Sequence, residues 1–263
     1  MKDASMPTAA APVPAPAAVL LITGASRGIG AATARLAAAR GWDLAINYSR
    51  DAAAAEGVAA AVRALGRRAI TVAADVADEA AVLAMFSRID TELGPLAGLV
   101  NNAGIVDLKA RLDEMSLARW QRMWAVNLNG SFLCAREAVR RMSTRHGGRG
   151  GAIVNLSSVA ARLGAPAMYV DYAASKGAID TFTLGLAREV AAEGIRVNAV
   201  RPGIIDTDIH ASSGDRSRPQ ASAGLIPMQR PGSADEVAAA IVWLLSDEAS
   251  YTSGAIIDVG GGR

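Results

Sequence analysis

Two short stretches carry residues that could do chemistry. "YAASK" sets Tyr172 and Lys176 four apart, one turn along a helix and on one of its faces. A phenol ordinarily ionises near pH 10, and a positive charge beside it favours the phenolate. Lysine is a marked choice here, because the chain has only Lys2, Lys109 and Lys176 against 24 arginines. A compact ammonium on a flexible stem can sit beside a phenol and donate in several directions, which a guanidinium does badly. The second stretch, "TGASRGIG" at 23–30, lies between an apolar run and an Ala-rich segment. Its Gly24, Gly28 and Gly30 allow a tight turn, close approach of backbone to a pyrophosphate, and close packing of the helix that follows. Ser26, Arg27 and Ile29 belong to the same turn. Free N–H groups at the helix start then face the anion.

For these residues to meet, the chain must bring strand ends and helix starts to one edge. "VLLIT" is a continuous apolar run ending at Gly24, as a buried parallel strand should. "DLAINY", "AITVAAD", "LAGLVNNAG", "GAIVNLSS", "IRVNAV" and "AIIDV" read as further strands. Between them, residues 28–40, 51–65, 78–92, 116–142, 170–193 and 233–246 read as helices. Strict alternation predicts the α/β class: a single Rossmann-type, doubly wound parallel sheet of about seven strands, with helices on both faces. The first βαβαβ half is the mononucleotide-binding arrangement, its ligand at the carboxyl ends of the strands. Residues 18–263 read as one dinucleotide-binding and catalytic domain, because no linker-like shift in composition interrupts them. Residues 1–17, with "PTAAAPVPAPAA", read as a disordered Pro/Ala-rich tail.

Composition narrows the function classes. Hydrophobic residues make up 51% and charged residues 20%, ordinary for a soluble globular enzyme. A net charge of +2 without a long Lys/Arg block gives no footprint for nucleic acid. Arg140, Arg141, Arg145 and Arg149 cluster near His146 and several glycines, as in a solvated helix end and loop. There is no apolar run of membrane-spanning length and no signal-peptide pattern, so a cytoplasmic protein without membrane partners is expected. The single Cys134 excludes an intrachain disulfide and reads as a buried small hydrophobe. Two isolated histidines offer no zinc ligand set, so no metal is expected.

The end of the second strand bears on the choice of dinucleotide. An NAD enzyme usually places Asp or Glu there, to accept from the ribose 2′-OH. Here Tyr48, Ser49 and Arg50 stand in that place. No carboxylate repels a 2′-phosphate, and Arg27 and Arg50 can pair with one, although Asp51 follows directly. NADP(H) is the expected preference, with NAD(H) possible.

In order, TGASRGIG at 23–30, NNAG at 101–104, SSV at 157–159, YAASK at 172–176 and "RVNAVRPG" at 196–203 closely resemble the short-chain dehydrogenase/reductase family. The resemblance covers residues 19–262. It implies an oxidoreductase that interconverts a ketone or aldehyde and an alcohol by hydride transfer, with Tyr172 as general acid/base. Lys176 would favour the phenolate and hydrogen-bond the nicotinamide ribose, so that Tyr172 and Lys176 also touch the cofactor. Ser158 would bind the substrate oxygen; Ser157 competes for that role, or merely ties off a strand end. Asn127 matches the family's water-anchoring asparagine, with Asn129 close by. Asp75 and Val76 would flank the adenine, although Asp75 could equally cap a helix. Asn102, Ala103 and Gly104 would line the ribose, and Pro202, Gly203, Ile205 and Thr207 would hold the carboxamide. Tyr169 becomes a candidate for the pocket wall, with 105–112, 160–169 and a lid-like segment at 204–228. Family members commonly assemble as tetramers through the helix at 170–193, so a homotetramer is expected, with a dimer next. Two rivals are a 3-oxoacyl-carrier-protein reductase and a catalytically silent dinucleotide-binding sensor or scaffold. Carrier-protein enzymes of the family place arginines at the positions of Arg145 and Glu193. The second of these is reversed in charge here, which disfavours an acidic partner.

Overall fold

Short apolar runs that alternate with helices leave no choice but parallel pairing. The computed structural model, which describes residues 18–207 and 217–263, has seven parallel strands in the order β3-β2-β1-β4-β5-β6-β7. They are β1 (Val19–Ile22), β2 (Asp43–Tyr48), β3 (Ala69–Ala73), β4 (Leu96–Asn101), β5 (Gly151–Leu156), β6 (Ile195–Pro202) and β7 (Ile256–Val259). The expected tail at 1–17, and 208–216 of the expected lid, lie outside the described residues.

Both faces of the sheet are covered, so β1 is buried at every residue. Its alternating side chains feed two cores. Leu20 and Ile22 join one, with α1 (Gly28–Ala39), α2 (Ala52–Ala64) and the last long helix, Ala234–Leu245. Leu21 joins the other, with α3 (Glu79–Glu92) and the helices that follow β4 and β5. Caps fix the helix starts. Asp51 accepts from the Ala54 amide and Asp78 from those of Ala80 and Ala81, and Ser233 and Glu236 form a capping box.

Helix boundaries depart from the sequence pattern at two places that matter. The stretch read as one helix over 116–142 is α4 (Leu117–Trp124), a π-turn (Ala125–Asn129) and α5 (Gly130–Met142). Such a turn inserts a residue and re-aims the side chains around it; Asn127 lies fully buried within it, and Asn129 is exposed. The helix read over 170–193 is α7 (Val170–Val190), closed by a 3-10 turn. Its first turn is held by Asp171, fully buried and paired with both ends of the Arg119 guanidinium at 2.7 and 3.2 Å. Two short helices, α6 (Ala160–Leu163) and α8 (Arg218–Ala221), have no counterpart in the sequence pattern. Residues Ala234–Leu245 form α9.

Candidate active site

The strand order reverses between β1 and β4, and a crevice opens where the two carboxyl ends diverge. The glycine turn lies there, held closely. Gly24 takes φ +61°, and a Cβ on it would lie 2.9 Å from Ala103 Cα. A Cβ on Gly30 would stand 2.7 Å from the Gly24 carbonyl oxygen and 2.6 Å from Asn102 Nδ2. Asn102 donates to the carbonyls of Thr23 (2.8 Å) and Gly24 (3.0 Å), and the Thr23 hydroxyl accepts from the amides of Asn102 and Ala103.

Asn47, which the sequence did not single out, pins the turn from the side. Its Oδ1 accepts from the Gly24 amide at 3.1 Å, and its Nδ2 donates to the carbonyls of Val72 and Ala74. The signal was available: an amide inside the apolar run "DLAINY" must have buried partners.

A cavity of about 560 Å³ opens over this turn. Gly24, Ser26, Arg27, Gly28 and Ile29 form one side, and Ser49, Arg50, Asp75 and Val76 another. Asn102, Ala103, Gly104 and Thr207 complete it. Gly30 is buried beneath, and Tyr48 packs half-buried against the core. Asp75 does not cap α3, since Asp78 does; it accepts from the Ala77 amide and lines the cavity. Asp51 lines it too, although its carboxylate is already committed to the cap of α2. Arg27 and Arg50 are exposed, and neither pairs with a carboxylate among the described residues. The chemistry of this donor set fits a dinucleotide: a cradle that any Cβ would fill, backbone N–H groups at the start of α1, and two open cations at the far end.

The adjoining cavity, about 350 Å³, holds Ser158, Tyr172, Lys176, Pro202, Gly203 and Ile205. The two serines separate cleanly. The Ser157 hydroxyl donates to the Lys176 carbonyl at 3.1 Å and ties β5 to α7. Ser158 hydrogen-bonds the Tyr172 phenol and accepts from the Ala160 amide. Lys176 is buried, its Nζ donating to the Leu156 carbonyl at 2.6 Å and lying 5.7 Å from the centre of the Tyr172 ring. Burial brings its pKa down to about 8, against the opposing pull of Asp180. Tyr172 departs from expectation. Burial raises its pKa, and the Ser158 hydrogen bond and the charge of Arg218 offset only part of this.

Asn127 binds through its side chain on three sides, accepting from the Ile105 amide at 2.8 Å and donating to the Ile105 carbonyl and to Ser175 Oγ. A Cβ on Gly104 would lie 3.5 Å from Asn127 Oδ1 and 3.6 Å from Lys176 Nζ, so all three converge. Beneath them, Asn101 donates to Asn155, and Asn155 to Thr183, locking β4, β5 and α7 at their buried ends. Tyr169 is buried and lines the same cavity, as a wall residue should. Cys134 is fully buried, and burial pushes its thiol up to about 12.

A family model described as enoyl-(acyl carrier protein) reductase matches residues 24–263. An uncharacterized oxidoreductase of Escherichia coli (strain K12), YgfF, is 54% identical over 246 residues, which are 94% of this chain and 100% of that protein. The cis-4-hydroxycyclohexanecarboxylate dehydrogenase of Sinomonas cyclohexanicum is 43% identical over 244 residues, covering 93% of this chain and 95% of its own. The crystal structure of a short-chain type dehydrogenase/reductase from Mycobacterium marinum superposes with a TM-score of 0.87 at 33% identity, over 93% of this chain and 94% of that one.

Proposed function

The chain belongs to the short-chain dehydrogenase/reductase family, NAD(P)-dependent enzymes acting on CH–OH and C=O groups, and from that premise we propose an NADP(H)-preferring enzyme in which Tyr172 is the general acid/base. The carrying observation is that Ser158, Tyr172 and Lys176 share one cavity, with the glycine cradle opening beside it.

When bound, the nicotinamide supplies the hydride chemistry. Gly24, Gly30 and the start of α1 would hold the pyrophosphate, and Pro202, Gly203, Ile205 and Thr207 would hold the carboxamide. In reduction, the Tyr172 hydroxyl gives its proton to the carbonyl oxygen; in oxidation the phenolate takes it back. The Ser158 hydroxyl donates to the same oxygen and stabilises the alkoxide-like charge. Lys176 would hold the ribose and favour the phenolate. Asn127 positions Gly104 and the turn that follows β4. It also fixes Ser175 on the helix carrying Tyr172 and Lys176. A scaffold without catalysis would have no need of this convergence.

Preference for NADP(H) is supported by Arg27 and Arg50 standing free of carboxylates, and by Asp51 being occupied at its helix. NADPH is expected to bind tighter than NADH, and Arg50→Asp to narrow or reverse the gap; equal dissociation constants in the wild type would overturn the preference. The substrate is expected to be a small secondary alcohol or its ketone on an apolar body. A ring alcohol of the kind named for the Sinomonas relative suits the walls Val106, Leu163, Pro166 and Met168. Following reduced-nicotinamide absorbance over a panel of alicyclic and linear alcohols and ketones tests this.

The reading as a carrier-protein reductase is disfavoured at the surface. Glu193 accepts from Ser143 Oγ at 2.5 Å and lies 3.9 Å from the Arg145 guanidinium, while Arg140 and Arg141 are paired with Glu137 and Asp90. The basic patch an acidic carrier would need is thus largely offset. One acyl group presented on carrier protein and as a small thioester should give similar kcat/KM values, or neither should be turned over. Assembly as a homotetramer is supported by α7 and α5: Gly177 and Gly185 face open space, and Phe132 and Leu184 are exposed. A monomer in sedimentation at micromolar concentration would refute it. Among the described residues, no helix is long and apolar enough to cross a membrane.

A further inference from the structure

The cavity beside Tyr172 is lined by Arg218 and by no described Asp or Glu. This is unusual within the molecule itself. The half-buried Arg67, Arg119, Arg136, Arg141 and Arg201 each pair with Asp or Glu. Arg196, half-buried as well, donates to the carbonyls of Leu244, Leu245 and Ser246. Arg218 has no such acceptor among the described residues. A guanidinium drawn partly out of water needs an anion or a row of carbonyls, because its desolvation is otherwise uncompensated.

Arg218 is also held in place. Its guanidinium carbon lies 4.9 Å from the centre of the Tyr169 ring, a stacking contact that restrains the side chain while leaving its N–H edge free. Tyr169 is itself buried, and its hydroxyl has no hydrogen-bond partner among the described residues. A hydroxyl and a cation without hydrogen-bond or ion-pair partners among the described residues therefore line the same cavity as the Ser158–Tyr172 pair.

The cofactor does not account for them. Its phosphates belong with the cradle at α1 in the neighbouring cavity, which Arg218 does not line. The oxidised nicotinamide is a cation, so a guanidinium beside it raises the need for a balancing anion.

The geometry points to a substrate that carries a carboxylate, bound by the Arg218 guanidinium, with its carbinol or carbonyl carbon facing Tyr172. This rests on the reading of Tyr172 as the reacting residue. Carboxylate is the anion that matches the planar donor fork of arginine. The apolar walls Val106, Leu163 and Met168 suit an apolar body between the acid group and the reacting carbon.

The test has a binding arm and a turnover arm. In the first, cyclohexanecarboxylate and cyclohexanecarboxamide are titrated into the enzyme–NADPH complex and read by the fluorescence of bound NADPH. The carboxylate is expected to bind ~10–100-fold tighter, the range for a hydrogen bond to a charged group. Arg218→Met should bring the two ligands to within about threefold while NADPH affinity is kept, which shows that the variant is folded; Arg218→Lys, with charge but no fork, should fall between. In the second arm, 4-hydroxycyclohexanecarboxylate is compared with its methyl ester. The acid-over-ester ratio in kcat/KM should be of the same size in the wild type, and should collapse in Arg218→Met through KM.

Equal binding of carboxylate and carboxamide in the wild type overturns the proposal, whatever turns over. So does an Arg218→Met variant that loses kcat equally on acid and ester, because Arg218 would then act on Tyr172 alone. If the carboxylate binds through Arg218 but no alcohol or ketone is turned over, the carboxylate site stands and the dehydrogenase reading falls.

Discussion

The two cavities share Ile29, Asn102, Gly104, Val106 and Thr207, yet they are built differently. On the dinucleotide side Asn47 holds the Gly24 amide, Asn102 holds the carbonyls of Thr23 and Gly24, and an added Cβ at Gly24 or Gly30 has no room. On the substrate side the walls are two four-residue helices and a turn in which Ala165 and Ala167 sit at φ 45° and 56°. Leu163 is exposed there. The first region is over-determined, because the same pyrophosphate must always fit it. The second is held by few bonds, so its shape can change without disturbing the sheet, and that is where specificity resides.

The sharpest way to break this comparison is at the reacting residue. Tyr172→Phe should lower turnover by ~10²–10⁴-fold while leaving NADPH affinity nearly unchanged, since the proton belongs to the reaction and the cradle does not. Full activity in that variant on an accepted substrate would falsify the assignment of the acid/base.

Gly30→Ala strikes the rigid side. A methyl group 2.7 Å from the Gly24 carbonyl oxygen must displace the turn, and overpacking of this kind costs ~1–3 kcal/mol. Titration should show dinucleotide affinity reduced ~10–100-fold. An affinity within twofold of the wild type would mean that the turn is as pliant as the substrate walls.

Lys176→Met separates charge from packing. The folded pKa of about 8 lies below the ordinary lysine value of 10.5. Between those two values the unfolded chain holds the proton and the folded one does not, so stability rises with pH across that window. Below pH 8 the penalty for the buried charge is fully present. Lys176→Met, which carries no charge, should lack this rise, and denaturant unfolding of both proteins at pH 7 and pH 10 reads the difference. Parallel pH dependences in the two would show that Lys176 is not the group responsible.

The smallest effect is on the pliant side. Relieving the left-handed conformation with Ala167→Gly should stabilise the protein by at most about 1 kcal/mol, since the added freedom of the unfolded chain offsets part of the relief. Thermal unfolding measures this, and a loss of more than 1 kcal/mol would mean that the alanine methyl packs against something essential.

Much of the frame was legible in the chain. Alternating apolar runs and capped helices imply a parallel sheet, and the ordered motifs mark the strand ends that face the crevice. The residues that tether those ends were less legible. Asn47, Asn101 and Asn155 act through partners 23 to 54 residues away, and only the pairing of strands brings these together. Ser157 and Ser158 are adjacent and chemically identical, so the sequence could rank them but not separate their roles. Strand pleating sends one hydroxyl to the Lys176 carbonyl and the other to Tyr172.

Spacing by itself determined that Tyr172 and Lys176 share a helix face, because 3.6 residues per turn is a local property of the backbone. Composition determined where glycine must stand, because only glycine fits a turn that close. The direction of the Tyr172 pKa, the turning of Lys176 toward Leu156, the π-turn that buries Asn127 and the company of Arg218 were decided by the tertiary structure. Each depends on which groups from distant parts of the chain exclude water from one place, and desolvation is a property of the assembled surroundings that no spacing along the chain encodes.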